Sequence, residues 1–348
     1  MHSWLLPDAI DDVLPAEAAE LEALRRTLLD HFAAHDYRLV RPPLIEHLES
    51  LLTGSGRDLE LLTFKTVDPL SGRLVGVRAD ITPQVARIDA HLLNEAGATR
   101  LCYAGSVVRA VADGPGATRE VVQVGAELFG VPGTDGDREV IALLASSLAS
   151  AGLRGLHLDL GHMGVYRALA SGAGVSESGD DSALFEALRT KDAPAVRALT
   201  HALPAAWRNA FDALPALYGP ADDVLRAARE RLPDIASIAN ALAALDALAK
   251  AAAPLVDALH IDLADLRGYH YHNGAIFSVF VPGEPNAIAK GGRYDGIGKA
   301  FGRSRPATGF TLDLRQLADV VSRGRNQVGS ETNFDRTGAS TDADESRL

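Results

Sequence analysis

The sequence is short of cysteine, with Cys102 standing alone among 348 residues. One cysteine excludes an internal disulfide framework and any zinc cluster built from cysteines, and it agrees with a reducing compartment. No apolar run approaches the roughly 20 residues that a membrane span requires. The N-terminal stretch MHSWLLPDAIDDVLP is broken by prolines and acids, unlike a signal peptide. We therefore expect a cytoplasmic protein.

Cations are also scarce, because 34 Lys and Arg residues stand against 46 Asp and Glu residues, for a net charge of −12. Nucleic-acid surfaces rely on clustered Lys and Arg, so this balance disfavours a general one. The P-loop, the GxSxG elbow and a GxGxxG after a strand are missing too. Walker-type ATPases, triad hydrolases and classical dinucleotide-binding proteins therefore have little support.

What is present is a mixture of helical and strand patterns. Pro15 opens a 3.6-residue periodicity that predicts one long amphipathic helix, followed by an extended segment with two prolines at 42 and 43. Short alternating segments then predict a mostly antiparallel sheet, which makes the fold class α+β. Strand patterns occupy 61–68, 72–80, 99–111, 119–130 and 153–161, and helical patterns occupy 81–97 and 137–152.

The composition changes twice along the chain. Residues 165–259 are rich in Ala and Leu with almost no strand signal, which predicts a helical insertion that splits the core into 1–164 and 260–321. A glycine-rich stretch from Ala289, AKGGRYDGIGKAFG, reads as a ligand-facing loop and leads to a last helix near 312–321. The remainder, 322–348, is polar and without periodicity, so we expect a disordered tail.

Polar groups interrupt the apolar strand pattern VVQVGAELFG. Gln123 and Glu127 lie on the same face of the predicted strand, with Gly125 between them and valines on the other face. Alternation alone is typical of a solvated face of an antiparallel sheet. The alternative is the floor of a pocket for a ligand that bears an amine or an imidazole, since both donate to carboxylates.

Other polar residues also have a plain structural interpretation beside a functional one. Arg109 ends a strand and fits a surface arginine, whereas Asp80 and Thr82 fit a helix N-cap. The segment RGYHYHNG, residues 267–274, fits an exposed aromatic strand and turn. Its two histidines lie at i and i+2, but no HxxxH, HExxH or Cys/His grouping accompanies them, so no metal site is predicted.

In order and wording these segments resemble the catalytic domain of histidyl-tRNA synthetase, a class II synthetase, up to about residue 318. The class motifs correspond to the long helix leading into RLVRPPLIEHLESL, to YAGSVVRAVADGPGATREVVQVGAELFG, and to the glycine-rich stretch with TGFTLDLRQL. RGYHYHNGAIF resembles the segment that reads RGLDYY in the synthetases. The resemblance implies a class II antiparallel sheet flanked by helices. It places histidine-contacting positions at Asp80, Thr82, Arg109, Gln123, Glu127, Arg267, Tyr271 and His272.

The sequence departs from the enzymes where they hold ATP. Arg109 is followed by Ala-Val-Ala rather than a charged run such as Arg-His-Glu. The helix of the third class motif ends in Gly-Leu-Glu-Arg in the enzymes. This chain has Asp313 and Gln316 in place of that glycine and of the arginine, which binds phosphate in the enzymes. Adenylation needs cationic stabilisation of phosphoryl charge, and one such group in a dry site is worth about 3 kcal/mol. Only 31 residues follow Leu317, so we expect no anticodon-binding domain.

A histidine pocket without adenylation resembles the synthetase paralogues that serve as regulatory subunits of ATP phosphoribosyltransferase, the first step of L-histidine biosynthesis. This resemblance implies no catalytic residue, no cofactor, no nucleic-acid or membrane partner, and assembly with a short-form catalytic subunit. It also implies feedback inhibition by histidine and a homodimer. Glu127 and Asp80 would pair with the imidazole and ammonium of histidine, Gln123 would orient the ligand, and Arg267 or the region of Tyr271 would close over it.

Two other functions stay open from the sequence. One is a truncated synthetase-like ligase that activates histidine or a similar amino acid for an acceptor other than tRNA. Arg109, Arg119 and the GGRYDG segment keep this alternative open. The other is a stand-alone histidine sensor that serves a different partner.

Overall fold

The first long helix sets one side of the protein. In the computed structural model, which describes residues 5–54, 57–112, 114, 117–175, 183–268 and 271–324, helix α1 spans Pro15–Ala34 as predicted. Proline is tolerated in the first turn because its missing N–H has no partner there. The buried stripe of α1 consists of Leu21, Leu24, Leu28 and Phe32. The helix ends just before Asp36, whose φ of 64° is left-handed.

Twelve strands within the described residues form two sheets. They are β1 (Arg38–Leu39), β2 (Ile45–His47), β3 (Phe64–Val67), β4 (Leu74–Val77), β5 (Thr99–Val108), β6 (Glu120–Phe129), β7 (His157–His162), β8 (Tyr218–Pro220), β9 (Ala258–Asp262), β10 (Ala275–Phe280), β11 (Ala289–Arg293) and β12 (Ala307–Asp313). The large sheet has nine strands in the order β1-β5-β6-β12-β11-β10-β7-β9-β8, and the small one has the order β2-β4-β3. Only the β1–β5 and β7–β9 pairings of these described strands are parallel. The predicted α+β fold with a mostly antiparallel sheet is confirmed.

Helices cover both faces of the large sheet. The remaining α-helices are α2 (Leu48–Leu52), α3 (Arg57–Leu62), α4 (Thr82–Arg87), α5 (Gly133–Ser150), α6 (Met163–Gly172), α7 (Ala183–Arg189), α8 (Ala193–Thr200), α9 (Ala205–Ala213), α10 (Ala221–Arg231), α11 (Ala236–Ala252) and a final helix at 314–324. A π-helical turn, Ile88–Leu93, continues α4, and 3₁₀ turns occur at Leu214–Ala216, Ala253–Leu255 and Ile297–Phe301. One face of β6 packs in the main core with α1 and α5, and the opposite face packs under α4.

The glycine-rich stretch differs from its prediction as a loop. Its first five residues form β11, paired with β10 and β12. Residues 294–296 then connect this strand to the 3₁₀ turn Ile297–Phe301. The last helix was predicted to begin near 312, but Leu312 and Asp313 still belong to β12. Their backbone groups pair with Val124 and Gln123 on β6, and this ladder keeps them extended.

Between β7 and β9 the chain forms mainly helices. Helices α6 to α11 lie there, together with the short strand β8, which adds to the edge of the large sheet beside β9. The division into a core and a helical insertion at 165–259 stays a prediction, and most of the expected disordered tail lies outside the described residues.

The segment Ala236–Leu255, which contains α11, is long and apolar enough to cross a membrane by length and composition alone. The sequence expectation missed it because Asp246 and Lys250 interrupt the apolar residues. Ile238, Leu242 and Leu245 of this helix are nevertheless buried in the main core. We interpret α11 as a core helix of a soluble protein.

Cys102 is buried, and its thiol is not part of a disulfide.

Candidate functional site

Strand β6 carries the polar pair that the sequence singled out. Gln123, Gly125 and Glu127 lie on one face of the strand, as predicted, while Val124 and Leu128 enter the main core on the other. Gln123 is 3% exposed and Glu127 only 1%. The interpretation as a solvated face is therefore wrong, because α4 covers this end of the sheet. Buried polar groups of this kind require partners.

Gln123 finds its partners at the start of α4. Its Nε2 donates to Asp80 Oδ1 at 2.8 Å, and its Oε1 accepts from the backbone N–H of Ile81 at 2.8 Å. Asp80 Oδ1 also accepts from the N–H of Thr82 at 3.0 Å. Ile81 is the N-cap of α4, so neither Asp80 nor Thr82 takes the N-cap position expected from the sequence. The Asp80 carboxylate instead bonds the N–H of the first helical residue and is held against Gln123. These hydrogen bonds connect strand β6 to the start of helix α4.

Glu127 lies deeper, between two tyrosines. Tyr103 Oη donates to Glu127 Oε1 at 3.1 Å, Tyr294 Oη donates to Oε2, and Thr82 Oγ1 lies 3.0 Å from Tyr103 Oη. Burial raises the pKa of Glu127 to about 8, while the hydroxyl hydrogen bonds oppose that rise. A positively charged ligand group would restore the ionised form, because an opposite charge at close range favours it.

Aromatic rings line the side of this cluster. Tyr271 stacks on Tyr294 with centroids 5.0 Å apart, and His272 meets the edge of Tyr271 at 5.1 Å. The hydroxyl of Tyr271 is buried without a hydrogen-bond partner among the described residues. Burial lowers the pKa of His272 to about 4, so this imidazole is neutral at physiological pH. With the rings neutral, the carboxyl groups of Asp80 and Glu127 are the groups here that can pair with a cationic ligand.

Six of the eight residues expected to contact histidine are brought together by this arrangement, and two lie apart. Arg267 donates to Asp265 at 2.8 and 2.6 Å and lies 3.5 Å from Ser278 Oγ. No contact within the described part of the chain joins Arg267 to Glu127. Arg109 borders a neighbouring cleft beside Gln123. The assignment of all eight residues to a histidine ligand stays a prediction.

The neighbouring cleft has a volume of about 610 Å³, and its lining includes Asp313 and Gln316, where the sequence departs from the synthetases. The described residues that line it include six carboxylates and four cations: Asp11, Asp12, Glu17, Glu284, Asp313 and Asp319 against Arg109, Lys290, Arg315 and Arg323. Arg323 pairs with Glu284 at 2.6 Å, and Arg315 lies 3.8 Å from Glu17. An acidic excess of this kind repels a triphosphate.

Asp313 stands where the large sheet meets this cleft. It lies opposite Gln123 in the β6–β12 ladder, and its Oδ1 accepts from the N–H of Arg315 at 2.9 Å. Burial raises the pKa of Asp313, against the influence of the backbone N–H groups of Arg315 and Gln316 and of the Arg109 charge. Asp313 therefore caps the final helix and occupies backbone N–H donors at its start, which could otherwise receive an anion.

Sequence reasoning missed the two tyrosines that bind Glu127. Tyr103 lies directly opposite Gly125 on β5, so the alternation of TRLCYAGSVVR already placed it on the same face. Tyr294 belongs to the GGRYDG segment, where the glycines drew attention instead. A polar aromatic beside a glycine in a paired strand was the available signal.

The class of protein follows from this fold and site together with comparisons. The family model described as histidyl-tRNA synthetase matches residues 9–317. A solved structure from Bacillus halodurans, described as an ATP phosphoribosyltransferase regulatory subunit/histidyl-tRNA synthetase, is 25% identical. It superposes with a TM-score of 0.81 over 92% of this chain and 84% of that one. Histidyl-tRNA synthetase from Nostoc, at 18% identity, shares the fold with a TM-score of 0.76, covering 93% of this chain and 77% of that one. The chain is a class II synthetase-like protein.

Curated relatives narrow this class. The ATP phosphoribosyltransferase regulatory subunit of Ralstonia nicotianae is 56% identical over 320 residues, which is 92% of this chain and 82% of that protein. The subunit of the same name from Thiobacillus denitrificans is 54% identical over 317 residues, or 91% of this chain and 98% of that protein. The chain belongs to the family of ATP phosphoribosyltransferase regulatory subunits.

Proposed function

We propose that this chain regulates an ATP phosphoribosyltransferase in L-histidine biosynthesis by binding histidine and by assembling with a short-form catalytic subunit. The chain itself is a non-catalytic regulatory subunit. Its acidic cleft supports this role, since Asp313 and Gln316 stand where an adenylating enzyme needs a glycine and an arginine. The same change argues against the ligase alternative.

The observation that carries the histidine proposal is the buried Glu127, held between Tyr103 and Tyr294 with Asp80 nearby. Two acids in a covered site match the two nitrogen-bearing ends of histidine, its imidazole and its ammonium. Gln123, fixed by Ile81 and Asp80, would orient the ligand. Tyr271 offers an unused buried hydroxyl and a flat ring face.

Regulation requires linkage between this pocket and the partner. Histidine inhibits the complex only if it binds one conformation more tightly, typically by about 1–3 kcal/mol. The start of α4 is a suitable carrier of that difference, because Asp80 and Thr82 contact the pocket while the rest of α4 packs on the apolar neighbours of Ile81.

A homodimer is part of the proposal. The small sheet and the turn beside it expose large apolar side chains, since Ile45, Val67, Leu70 and Leu74 are each more than half exposed. An exposed apolar patch of this kind favours association. Isologous pairing is the commonest geometry for such a contact. In sedimentation experiments we expect Ile45→Asp with Leu74→Asp to give monomers, and the control Leu199→Asp on α8 to remain dimeric.

The decisive experiment mixes the purified chain with a short-form catalytic subunit and titrates histidine against the phosphoribosyltransferase rate. We expect a stable complex, a higher rate on mixing, and inhibition by histidine. Glu127→Gln is expected to keep the activation and lose the inhibition, whereas Glu49→Gln, at a side chain 90% exposed, keeps both. Histidine binding without complex formation would instead identify a stand-alone sensor. We place this assembly in the cytoplasm.

A further inference from the structure

The same face of the large sheet carries a second group of polar side chains, far from Glu127. His157 and Asp159 are two residues apart on β7, so their side chains lie on the same face. His260 lies opposite Asp159 on β9, the parallel neighbour of β7. One donor atom from each residue lies within 4.8 Å of the other two. All three side chains are half-buried. Strand spacing puts this group four strands from β6, about 19 Å away.

The distances within this group suit a metal better than a hydrogen bond. His157 Nε2 and Asp159 Oδ1 are 3.2 Å apart, yet both atoms are buried without a hydrogen-bond partner among the described residues. Two ligands about 2.0 Å from a tetrahedral zinc ion are about 3.3 Å apart. The rings of His157 and His260 are perpendicular with centroids at 4.2 Å, so they are not stacked face to face. One nitrogen of each ring lies within 4.8 Å of the other and of an Asp159 carboxylate oxygen.

Two cations close to this group already pair with other acids. Arg267 pairs with Asp265 at 2.6 Å, and Lys191 lies 2.7 Å from Asp262. A bound divalent cation would neutralise Asp159 and give its orphaned oxygen a partner.

We propose that His157, Asp159 and His260 bind a divalent first-row metal ion, for which zinc is the best match. Two imidazoles and one carboxylate are ligands that zinc accepts, and the half-buried position leaves a fourth site for water. The ion would connect β7 to β9, the strands that immediately precede and follow the helical segment 163–257. It would thereby hold the two ends of that segment together. The sequence could not indicate this site, because its ligands come from strands about 100 residues apart.

Zinc titration of the full chain, stripped of metal and free of histidine, tests the proposal. With a chromogenic chelator as competitor we expect one tight equivalent per chain and a higher melting temperature. Loss of outer partners alone weakens metal sites by about 10–100-fold, so His260→Gln and Asp159→Asn should each weaken binding by about 100-fold or more. The control His201→Gln, at an exposed histidine whose ring bonds the backbone oxygen of Ala198, should bind as the parent chain does. Equal binding by the parent chain and both ligand variants would refute the site.

A second measurement keeps the proposal testable if the ligand variants do not fold. X-ray absorption at the zinc edge of the loaded parent chain should show two imidazoles and at least one oxygen in the first coordination sphere. A shell with fewer than two imidazoles would exclude this site, whatever the variants do.

Discussion

Gly309 on β12 lies directly opposite Glu127 on β6, and a Cβ atom at position 309 would overlap Glu127 Oε2. The carboxylate can lie flat across the sheet only because this neighbour has no side chain. Ala126 O is also within 2.7 Å of that Cβ position, so the backbone closes the other side. The shape of the pocket floor thus depends on one missing methyl group.

Gly309→Ala should therefore displace Glu127 and damage histidine binding. Overpacking of this kind costs about 1–3 kcal/mol of stability, and the displaced carboxylate loses its tyrosine partners. The control is Gly296→Ala, where no atom lies within 4 Å of the added methyl and φ is −83°. Calorimetry should find weak or no histidine binding for the first variant and normal binding for the second. Parent-like affinity in Gly309→Ala would contradict the assigned pocket floor.

Glu127→Gln keeps the shape of the side chain and removes its ability to carry a negative charge. If Glu127 pairs with a cationic group of histidine, the lost charge-assisted hydrogen bond should weaken binding by roughly 2 kcal/mol, or about 30-fold. Glu49→Gln is the matched control, because its side chain is 90% exposed. Isothermal titration measures both, and unchanged affinity in Glu127→Gln would remove this residue from the site.

The regular spacing of apolar and polar residues predicted the parts of this site that depend on neighbours along the chain. Helix α1 and the shared face of Gln123 and Glu127 follow from spacings of 3.6 and 2 residues. Whether that face is solvated or covered depends on contacts with residues that are distant in the sequence. Ile81 on one side and Ile297 on the other pack over it, and neither is close to β6 in sequence.

The glycine-rich stretch shows the same limit. Glycine has a low strand propensity, so its run predicted a loop. In the structure Gly291 belongs to β11, and this position requires glycine because a Cβ there would overlap Gly309 O and the ring of Phe277. The glycines are required by close packing between strands, and that packing also brings Tyr294 to Glu127. Local composition does not show which strands pack against each other, so it could not predict this arrangement.

The raised pKa of Glu127 makes the stability of the unliganded chain depend on pH. The pKa is about 8 in the folded protein and near 4.5 when exposed, so the unfolded state releases its proton first. The stabilising contribution is complete below pH 4.5 and is lost as pH rises toward 8. His162 and His272 act in the opposite direction, since burial lowers their pKa values to about 4 and their contribution is complete above pH 6.5.

Between pH 6.5 and 8 the effect of Glu127 should therefore act without opposition from these two histidines. We expect the free energy of unfolding of the parent chain to fall by up to about 1.4 kcal/mol per pH unit. Glu127→Gln should show a flat profile over the same range. Urea denaturation at several pH values measures both slopes, and parallel slopes for the two chains would show that Glu127 is already ionised in the folded state.

The cleft lined by Asp313 and Gln316 should not support adenylation of histidine by ATP. With Asp313 and Gln316 in place, the purified chain should show no histidine-dependent exchange between ATP and pyrophosphate, because the cleft has an excess of acids. Asp313→Gly with Gln316→Arg removes one carboxylate and adds a guanidinium, so ATP affinity should rise by about tenfold or more. Asp319→Asn, which removes a charge from the same cleft without adding a cation, should give a smaller gain. Exchange above background in the parent chain would overturn its assignment as non-catalytic, because a working adenylation site would then survive without the phosphate-binding arginine.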